Sequence, residues 1–253
     1  MEADQSVRWK RVSTTLAKQG KELLDQPRKK TEFTKNTQAD DLLNDLDRHP
    51  HVFVLGSVMN RQIKSERAWL IPYQIGQEVG SFEFQRLHSL PLDKIKKLFA
   101  EKHLHRFNET MAENFHAALE NIHLNYNDCA SNIWRDNPQS ATVVNRFLQF
   151  RGVGTKIASL AANTLARDFK IPMADKRCID ISLDVHIKRV FARLGLTGKN
   201  ATNDEVLYCA REMNPEYPGI FDQATWEIGR EWCRPSNPEC GNCYMERFCL
   251  KAI

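Results

Sequence analysis

Four cysteines crowd the stretch WCRPSNPECGNCYMERFC near the end of the sequence. They are Cys233, Cys240, Cys243 and Cys249, separated by six, two and five residues. Clustered thiols form disulfides or, as thiolates, bind a metal centre. The start of the chain, MEADQSVRWK, has no apolar segment after a basic one, so we expect no secretory signal and a reducing, intracellular setting. Disulfides are therefore the weaker explanation. The other cysteines are isolated and are interpreted as buried or incidental thiols: Cys129, Cys178 and Cys209.

A pair of glycines separates two apolar helical patterns in the middle of the chain. In VVNRFLQFRGVGTKIASLAANTLARDF, apolar positions follow helical spacing on both sides of Gly152-Val153-Gly154. This pattern predicts a helix, a tight hairpin and a second helix. The glycines allow a sharp turn and expose N–H groups at the start of the second helix, where the helix dipole favours an anion. Such a hairpin can hold a phosphate of nucleic acid, although glycine turns are common between packed helices.

Positive charge is concentrated just before the cysteines. The formal net charge of the chain is +4. Residues 151–200 hold ten Lys or Arg and four Asp, a net charge of +6, which leaves −2 for the other residues. A basic zone attracts polyanions such as nucleic acid, and an ordinary solvated surface is the alternative.

The apolar patterns predict an all-α fold without membrane-spanning segments. Residues 5–25 place apolar side chains at helical spacing and end near Pro27. The segment HVFVLGSVMN has the β-branched content of a strand, but no partner strand with alternating polarity occurs, so we predict a buried helix. Prolines separate the remaining apolar segments, as expected for short connections between helices.

Three motifs, in this order, resemble the endonuclease III family of helix-hairpin-helix (HhH-GPD) DNA glycosylases. They are FRGVGTKIA, LDVHIKRVFARLGL and the C-terminal Cys-x6-Cys-x2-Cys-x5-Cys. The resemblance is strong over about residues 140–250 and faint before them. It implies that the four cysteines hold a [4Fe–4S] cluster, with one thiolate for each iron. Zinc is the alternative, because all-cysteine zinc sites also use CxxC pairs, but a single CxxC with these spacings fits a zinc ribbon poorly.

The resemblance implies that Lys156, which follows the hairpin, is the nucleophile. Its unprotonated amine would attack the sugar C1′, expel the base and form a Schiff base from which the 3′ phosphate is eliminated. A free lysine titrates near about 10.4, so we expect its pKa to be lowered by the helix dipole and by partial desolvation. The structural alternative is a solvated lysine at a helix start, where a cation is disfavoured.

Asp184 in LDVHIKRV matches the family's catalytic aspartate. An Asp before an apolar periodic run is also a good helix N-cap, and the two roles are compatible. Backbone N–H groups that cap a carboxylate lower its pKa, so we expect Asp184 to be ionised and suited to stabilising an oxocarbenium-like sugar or orienting Lys156. For His186 and Arg189 in the same helix we expect structural or phosphate-directed roles.

Further residues are candidates for contacts with duplex DNA. An enzyme of this family extrudes the target nucleotide and fills the gap with a side chain, and the resemblance places this wedge at Gln62, with a polar helix cap as the alternative. The link between Lys156 and Asp184 is longer than in the family and forms an added loop, residues 169–182. The predicted DNA contacts are Gly152, Val153, Gly154, Thr155, Gln62, Arg61, Lys176, Arg177, Arg189 and Arg234.

The resemblance also implies a two-lobed architecture around a DNA cleft. Residues 1–47 would form an N-terminal helical segment that packs on the cluster lobe. Residues 48–166 would form a six-helix barrel lobe with the hairpin, and residues 167–253 a lobe with Asp184 and the cluster loop.

The function implied is base excision repair of duplex DNA by a bifunctional glycosylase and abasic-site lyase that removes an oxidised pyrimidine. The alternatives are a mismatch glycosylase for thymine or uracil opposite guanine, and a non-catalytic module that binds damaged DNA. Lys156 and Asp184 in their motif positions favour an enzyme. The chain ends soon after Cys249, which argues against adenine opposite 8-oxoguanine as substrate, because adenine-specific relatives carry an extra C-terminal domain. We expect a monomer without membrane contact, in the cytoplasm or nucleoid if the source is prokaryotic.

Overall fold

The computed structural model of the protein describes the backbone of residues 2–251 and the side chains of residues 7–251, and this part of the chain is helical without strands. The predicted all-α class is confirmed. Met1, Ala252 and Ile253, the ends of the predicted lobes, lie outside the described residues. The helices are α1 (Glu2–Asp25), α2 (Thr37–Asn44), α3 (Pro50–Met59), α4 (Ser65–Val79), α5 (Phe84–His88), α6 (Leu92–Glu101), α7 (Asn108–Tyr126), α8 (Ser140–Leu148), α9 (Thr155–Arg167), α10 (Val185–Leu194), α11 (Asn203–Met213) and α12 (Asp222–Glu231). Short 3₁₀ turns are Ala130–Ile133, Pro218–Phe221 and Cys240–Asn242. No helix in this range is long and apolar enough to cross a membrane.

The chain forms two compact units. The hairpin unit comprises Arg28–Pro138 and Thr142–Met173. The cysteine unit comprises Met1–Pro27, Gln139–Ala141 and Ala174–Ile253. Lys156 therefore belongs to the first unit, and Asp184 with the four clustered cysteines to the second.

The predicted segment 1–47 is divided between these units. Residues 28–47 lie in the hairpin unit, because buried Phe33 packs its ring at 4.7 Å from that of Trp69 and 6.1 Å from that of Phe169. In the same segment α2 packs on α3 and α4. That the two units act as the lobes of a DNA cleft stays a prediction.

Helix α3 is the core of the hairpin unit. All its residues are buried, from Pro50 to Met59, as predicted for HVFVLGSVMN. A helix that is apolar on every side must be covered on every side, and α3 packs against α4, α7 and α9. Its Phe53 lies between the rings of Trp69 and Trp134, at centroid distances of 5.4 and 6.1 Å. This core fixes α9, the second helix of the hairpin, and α7, which contacts the turn.

The cysteine unit is built on α1, α10 and α12. Its core includes Leu16, Phe191, Phe221, Ile228 and Met245, all at most 2% exposed. Near the C terminus of α10, the Arg8 guanidinium donates to the carbonyl of Leu194 at 2.7 Å and to those of Gly195 and Phe248 at 3.3 Å. A cation at this end of a helix stabilises the unsatisfied carbonyls and the helix dipole.

A buried histidine makes the stability of the fold depend on pH. His51 is 2% exposed, its Nε2 lies 2.9 Å from the carbonyl oxygen of Phe82, and burial lowers its pKa to about 4. The unfolded chain takes up this proton near pH 6.5 and the folded chain does not, so stability falls as the pH drops from 6.5 towards 4.

We therefore expect the free energy of unfolding to decrease by about 2 kcal/mol between pH 7 and pH 5 through His51 alone. Urea unfolding at several pH values measures this slope. His51→Gln keeps an amide donor for the carbonyl of Phe82 but does not titrate, so its slope should be shallower. An unchanged slope in that variant would contradict the assignment.

Candidate active site and cysteine loop

The predicted helix-hairpin-helix is present as α8, a tight turn and α9. In the turn, the N–H of Val153 donates to the carbonyl of Phe150 at 3.0 Å, and Gly152 adopts φ +84°. Gly154 is the N-cap of α9, and its carbonyl accepts hydrogen bonds from the next turn of the helix. No side chain caps α9, so its first N–H groups are left for an outside acceptor. This is the geometry that the phosphate prediction requires.

Side chains of helix α7 contact both ends of the hairpin turn. The Arg151 guanidinium contacts Glu113 at 2.9 Å, and Glu113 also accepts from Lys96 at 2.9 Å. The side-chain amide of Asn121 donates to the carbonyl of Gln149 at 3.2 Å. These contacts fix both ends of the turn to α7. No sequence pattern predicted them.

Gly152 has no room for a side chain, and Gly154 does. A Cβ at Gly152 would lie 2.3 Å from Nδ2 of buried Asn114, in the left-handed region that favours glycine. Gly152→Ala is therefore expected to lower the free energy of unfolding by about 1–3 kcal/mol. At Gly154 a Cβ meets open space at φ −111°, so Gly154→Ala should cost about 1 kcal/mol or less, as a poorer N-cap. Urea unfolding of the pair tests this, and equal losses would contradict it.

Lys156 is the second residue of α9 and is exposed. The helix turns its following residues Ile157 and Ala158 into the core, which leaves Lys156 on the outer side. Among the described residues its amine makes no ion pair or side-chain hydrogen bond. An exposed, unengaged amine directly after the hairpin is accessible to a bound substrate.

Asp184 is the N-cap of α10, as predicted. Its Oδ1 accepts both hydrogen bonds, from the N–H of His186 at 2.8 Å and of Ile187 at 2.9 Å. Buried Val190 and Phe191 anchor the helix that Asp184 begins. The carboxylate is half-buried and oriented through one oxygen, and within residues 2–251 no hydrogen bond engages Oδ2. Lys156 and Asp184 belong to different units, so their cooperation stays a prediction.

Arg189 has a structural role, which is one of the two roles that the sequence led us to expect. Its Nε donates to the carbonyl of Cys233 at 2.6 Å, and Nη2 donates to the carbonyl of Gly229 at 2.8 Å and contacts Nδ1 of His186 at 3.0 Å. The guanidinium thus ties α10 to the end of α12 and to the first clustered cysteine. A DNA contact by Arg189 stays a prediction.

Three other predicted cations, Lys176, Arg177 and Arg234, lie in the cysteine unit. Exposed Arg177 pairs with Glu216 at 3.0 Å, and Arg234 pairs with Glu239 at 3.1 Å. Lys176 is half-buried in the added loop. Pairs this exposed are weak and can exchange a carboxylate for a phosphate, so these DNA contacts stay predictions.

Hydrogen bonds and an ion pair fix the added loop to the rest of the cysteine unit. Ser140 donates to Asp175 at 2.5 Å, and this hydrogen bond is the main cause that lowers the pKa of Asp175. Asp180, 4% exposed, forms a two-point pair with Arg211 at 2.8 and 2.7 Å. From Ala174 onward, these contacts therefore fix the segment between Lys156 and Asp184 to the cysteine unit.

Gln62 lies in the turn between α3 and α4. Gln62 and Arg61 are exposed, and Gln62 adopts φ +53°, in the left-handed region. The flanking caps are Asn60 for α3 and Lys64 for α4, so the alternative interpretation of Gln62 as a helix cap is wrong. The Asn60 amide donates to Oγ of Ser65 at 2.9 Å and closes the turn. Gln62 is presented outward, as a wedge residue has to be; the wedge role stays a prediction.

The four clustered cysteines line one short loop after α12. All are half-buried free thiols. Burial is the first cause that raises the pKa of Cys243 and of Cys249, and the other clustered cysteines raise them further. Among the side chains of residues 7–251, no three of His, Cys, Asp or Glu are close enough to hold a single metal ion.

Arg193 places positive charge at this loop, and sequence patterns did not indicate it. The residue is 8% exposed, and its Nη1 lies 3.4 Å from Sγ of Cys233. It also donates to the carbonyls of Arg234 at 2.6 Å and Pro235 at 2.9 Å. The backbone N–H of Lys251 approaches Sγ of Cys249 at 3.3 Å. A buried cation beside Cys233 and an N–H donor beside Cys249 can stabilise negative charge on sulfur when a metal centre replaces the thiol protons, which fits a thiolate-bound group.

Comparison with known proteins gives both a sequence relative and related structures. No family model matches the chain. The chain is 31% identical to endonuclease III of Thermotoga maritima over 103 residues, which are 40% of this chain and 43% of that protein. The matched part thus spans less than half of the relative's length.

Three solved structures share the fold over most of the chain. A trapped covalent endonuclease III–DNA intermediate, the estranged-adenine complex, has a TM-score of 0.58 at 18% identity and covers 84% of this chain and 92% of its own. A non-covalent endonuclease III–DNA complex has a TM-score of 0.59 at 17% identity, with coverages of 85% and 92%. A thermostable thymine-DNA glycosylase has a TM-score of 0.62 at 15% identity, with coverages of 97% and 96%. The chain therefore has the all-α helix-hairpin-helix DNA glycosylase fold, and its sequence resembles that of endonuclease III.

Proposed function

We propose that the protein is a base excision repair enzyme, a DNA glycosylase with abasic-site lyase activity on oxidised pyrimidines in duplex DNA. The observation that carries this proposal is Lys156, exposed and unengaged in the first turn of α9 directly after the hairpin. The fold and the sequence resemblance to endonuclease III support the same reaction class.

The proposed reaction begins at Nζ of Lys156. Its lone pair forms a bond to C1′ as the bond from C1′ to the base breaks, and the departing base takes up a proton. Opening of the sugar at O4′ gives a protonated imine. Loss of a C2′ proton then expels the 3′ phosphate, and water hydrolyses the imine to release the lysine.

Asp184 contributes an oriented carboxyl group to this scheme. Its Oδ1 is held by two backbone N–H groups, which sets the orientation of the carboxylate. Oδ2 is then available to stabilise positive charge that develops on the sugar, or to orient Lys156. Because the cap already positions the side chain, catalysis requires no reorganisation of this group.

The DNA backbone would bind at the hairpin. The uncapped N–H groups at the start of α9 and the positive end of its dipole suit one phosphate, which positions the duplex without reading its sequence. Gln62, presented on its left-handed turn, would fill the gap left by the extruded nucleotide.

We infer that the clustered cysteines bind a [4Fe–4S] cluster. Cys233, Cys240, Cys243 and Cys249 supply one thiolate for each iron, and Arg193 offsets part of the negative charge. When bound, the cluster would cross-link the four cysteines of the loop after α12 and supply a redox-active centre. Zinc is the competing occupant, and analysis of iron, sulfide and zinc in the purified protein separates the two.

Base release from a panel of defined duplexes tests the activity. The panel contains thymine glycol, 5-hydroxycytosine, thymine opposite guanine, uracil opposite guanine and an undamaged control. Release of the oxidised pyrimidines with strand cleavage is the expected result. Preferential release of thymine or uracil opposite guanine would support the mismatch glycosylase, which the likeness to the thymine-DNA glycosylase structure also suggests. Binding without release from any duplex would support the non-catalytic module.

A further inference from the structure

A buried histidine connects two neighbouring loops of the hairpin unit. His105 follows α6 and is 2% exposed. Its Nδ1 accepts a hydrogen bond from the backbone N–H of Phe107 at 3.1 Å. Because Nδ1 is the acceptor, the proton of the neutral ring lies on Nε2.

The backbone of Met59 and of Arg61, where the turn that carries Gln62 begins, lies close enough to the His105 ring to act on its proton as an acceptor. Nε2 is buried, and these backbones act on it as acceptors without completing a hydrogen bond of good geometry. Burial lowers the pKa of His105, and the charges of nearby Arg67 and Arg106 lower it further, so the ring is a neutral donor near pH 7. A small movement of the turn towards the ring would complete the bond and satisfy a buried donor.

The turn needs such support. The φ of +53° at Gln62 is uncommon for a residue with a side chain and persists only where the surroundings hold it. A second link comes from Arg67 in α4, which donates to the carbonyl of Leu104 at 3.1 Å and to that of His103. Arg67 thus ties α4, which follows the Gln62 turn, to the loop after α6, and His105 is the residue of that loop whose ring lies near the turn itself.

We propose that His105 is a positioning residue that holds the backbone of Met59 and Arg61 through Nε2 and thereby orients Gln62 for insertion into the DNA stack. The inference rests on the proposed function, and within it on Gln62 as the wedge. His105 touches neither substrate nor reacting atoms in this role.

Two substitutions separate the two hydrogen bonds of the ring. In His105→Asn the short amide can still accept from Phe107, but it cannot reach the Gln62 turn. In His105→Gln the longer amide can donate to that turn, but the acceptor at the Nδ1 position is lost. The readout is the fluorescence of 2-aminopurine opposite a tetrahydrofuran abasic analogue in a duplex, which changes when a side chain fills the gap and requires no catalysis. Melting temperatures of both variants are measured alongside.

We expect wild type and His105→Gln to give the fluorescence change, and His105→Asn to reduce the insertion equilibrium by about fivefold or more. In the Gln62→Ala background the Asn substitution should have no further effect, because both changes then act on the same step. Equal behaviour of the Asn and Gln variants would overturn the inference. So would a bound wild type without a fluorescence change, whereas failure of wild type to bind the duplex at all would overturn the proposed function itself.

A second measurement covers the case in which His105→Asn does not fold. In wild type, hydrogen exchange of the Nε2–H proton of His105, followed by NMR, should slow on binding the abasic duplex, because the bond to the turn closes. Unchanged exchange in the bound state would contradict the proposed role.

Discussion

Lys156→Ala is expected to abolish both strand cleavage at an abasic site and the covalent complex trapped by borohydride. Without the amine no imine can form, so the lyase rate should fall by about 10³-fold or more. The side chain is exposed and makes no ion pair or side-chain hydrogen bond within the described residues, so the variant should fold as stably as wild type. Loss of activity would then reflect chemistry and not unfolding.

Two controls separate nucleophilic attack from charge. Lys156→Arg keeps a cation for DNA phosphates, but arginine stays protonated and cannot form the imine, so this variant should bind the duplex and fail to be trapped. Lys97→Ala removes another exposed lysine of the hairpin unit, one that pairs only loosely with Glu101 at 3.8 Å, and should leave cleavage unchanged. Cleavage and trapping by Lys156→Ala at the wild-type rate would refute the assignment of Lys156.

Features fixed by local patterns were predictable from the sequence. The glycine pair predicted the hairpin, and an Asp before an apolar run predicted the N-cap at Asp184. The buried helix α3 was predictable because a strand of β-branched residues needs a partner, and the sequence offered none. The hairpin and the N-cap follow from residues within one or two helical turns of one another, whereas the prediction of α3 also required a search of the whole sequence for a partner strand.

Features that depend on distant side chains were not predictable in this way. Residues 28–47 belong to the hairpin unit because Phe33 packs on Trp69 and Phe169, far apart in sequence. Arg193 would be interpreted as a solvent-facing cation of α10, yet it is buried against Cys233. Periodicity reports which face of a helix is apolar, but it does not report which loop covers that face.

Cys243→Ser is expected to deplete bound iron and destabilise the cysteine unit. The loop is part of the core, since Met245 is fully buried and Trp232 packs edge-on against Tyr244 at 5.8 Å. A bound metal centre stabilises the fold that assembles its ligands, so losing one of four thiolates should lower the melting temperature by roughly 5–10 °C, equivalent to about 2–3 kcal/mol.

Cys178→Ser is the matched control for this prediction, because Cys178 is exposed and isolated from the cluster. We expect it to keep its iron, its acid-labile sulfide and its melting temperature. If Cys243→Ser retained iron at the wild-type level, or if both variants lost it equally, the four-cysteine assignment would be wrong. Stoichiometric zinc without sulfide in the wild-type protein would support the same four cysteine ligands, but with zinc in place of the iron–sulfur cluster. These outcomes separate the ligand set, which the cysteine spacing predicts, from the identity of the metal, which the resemblance implies.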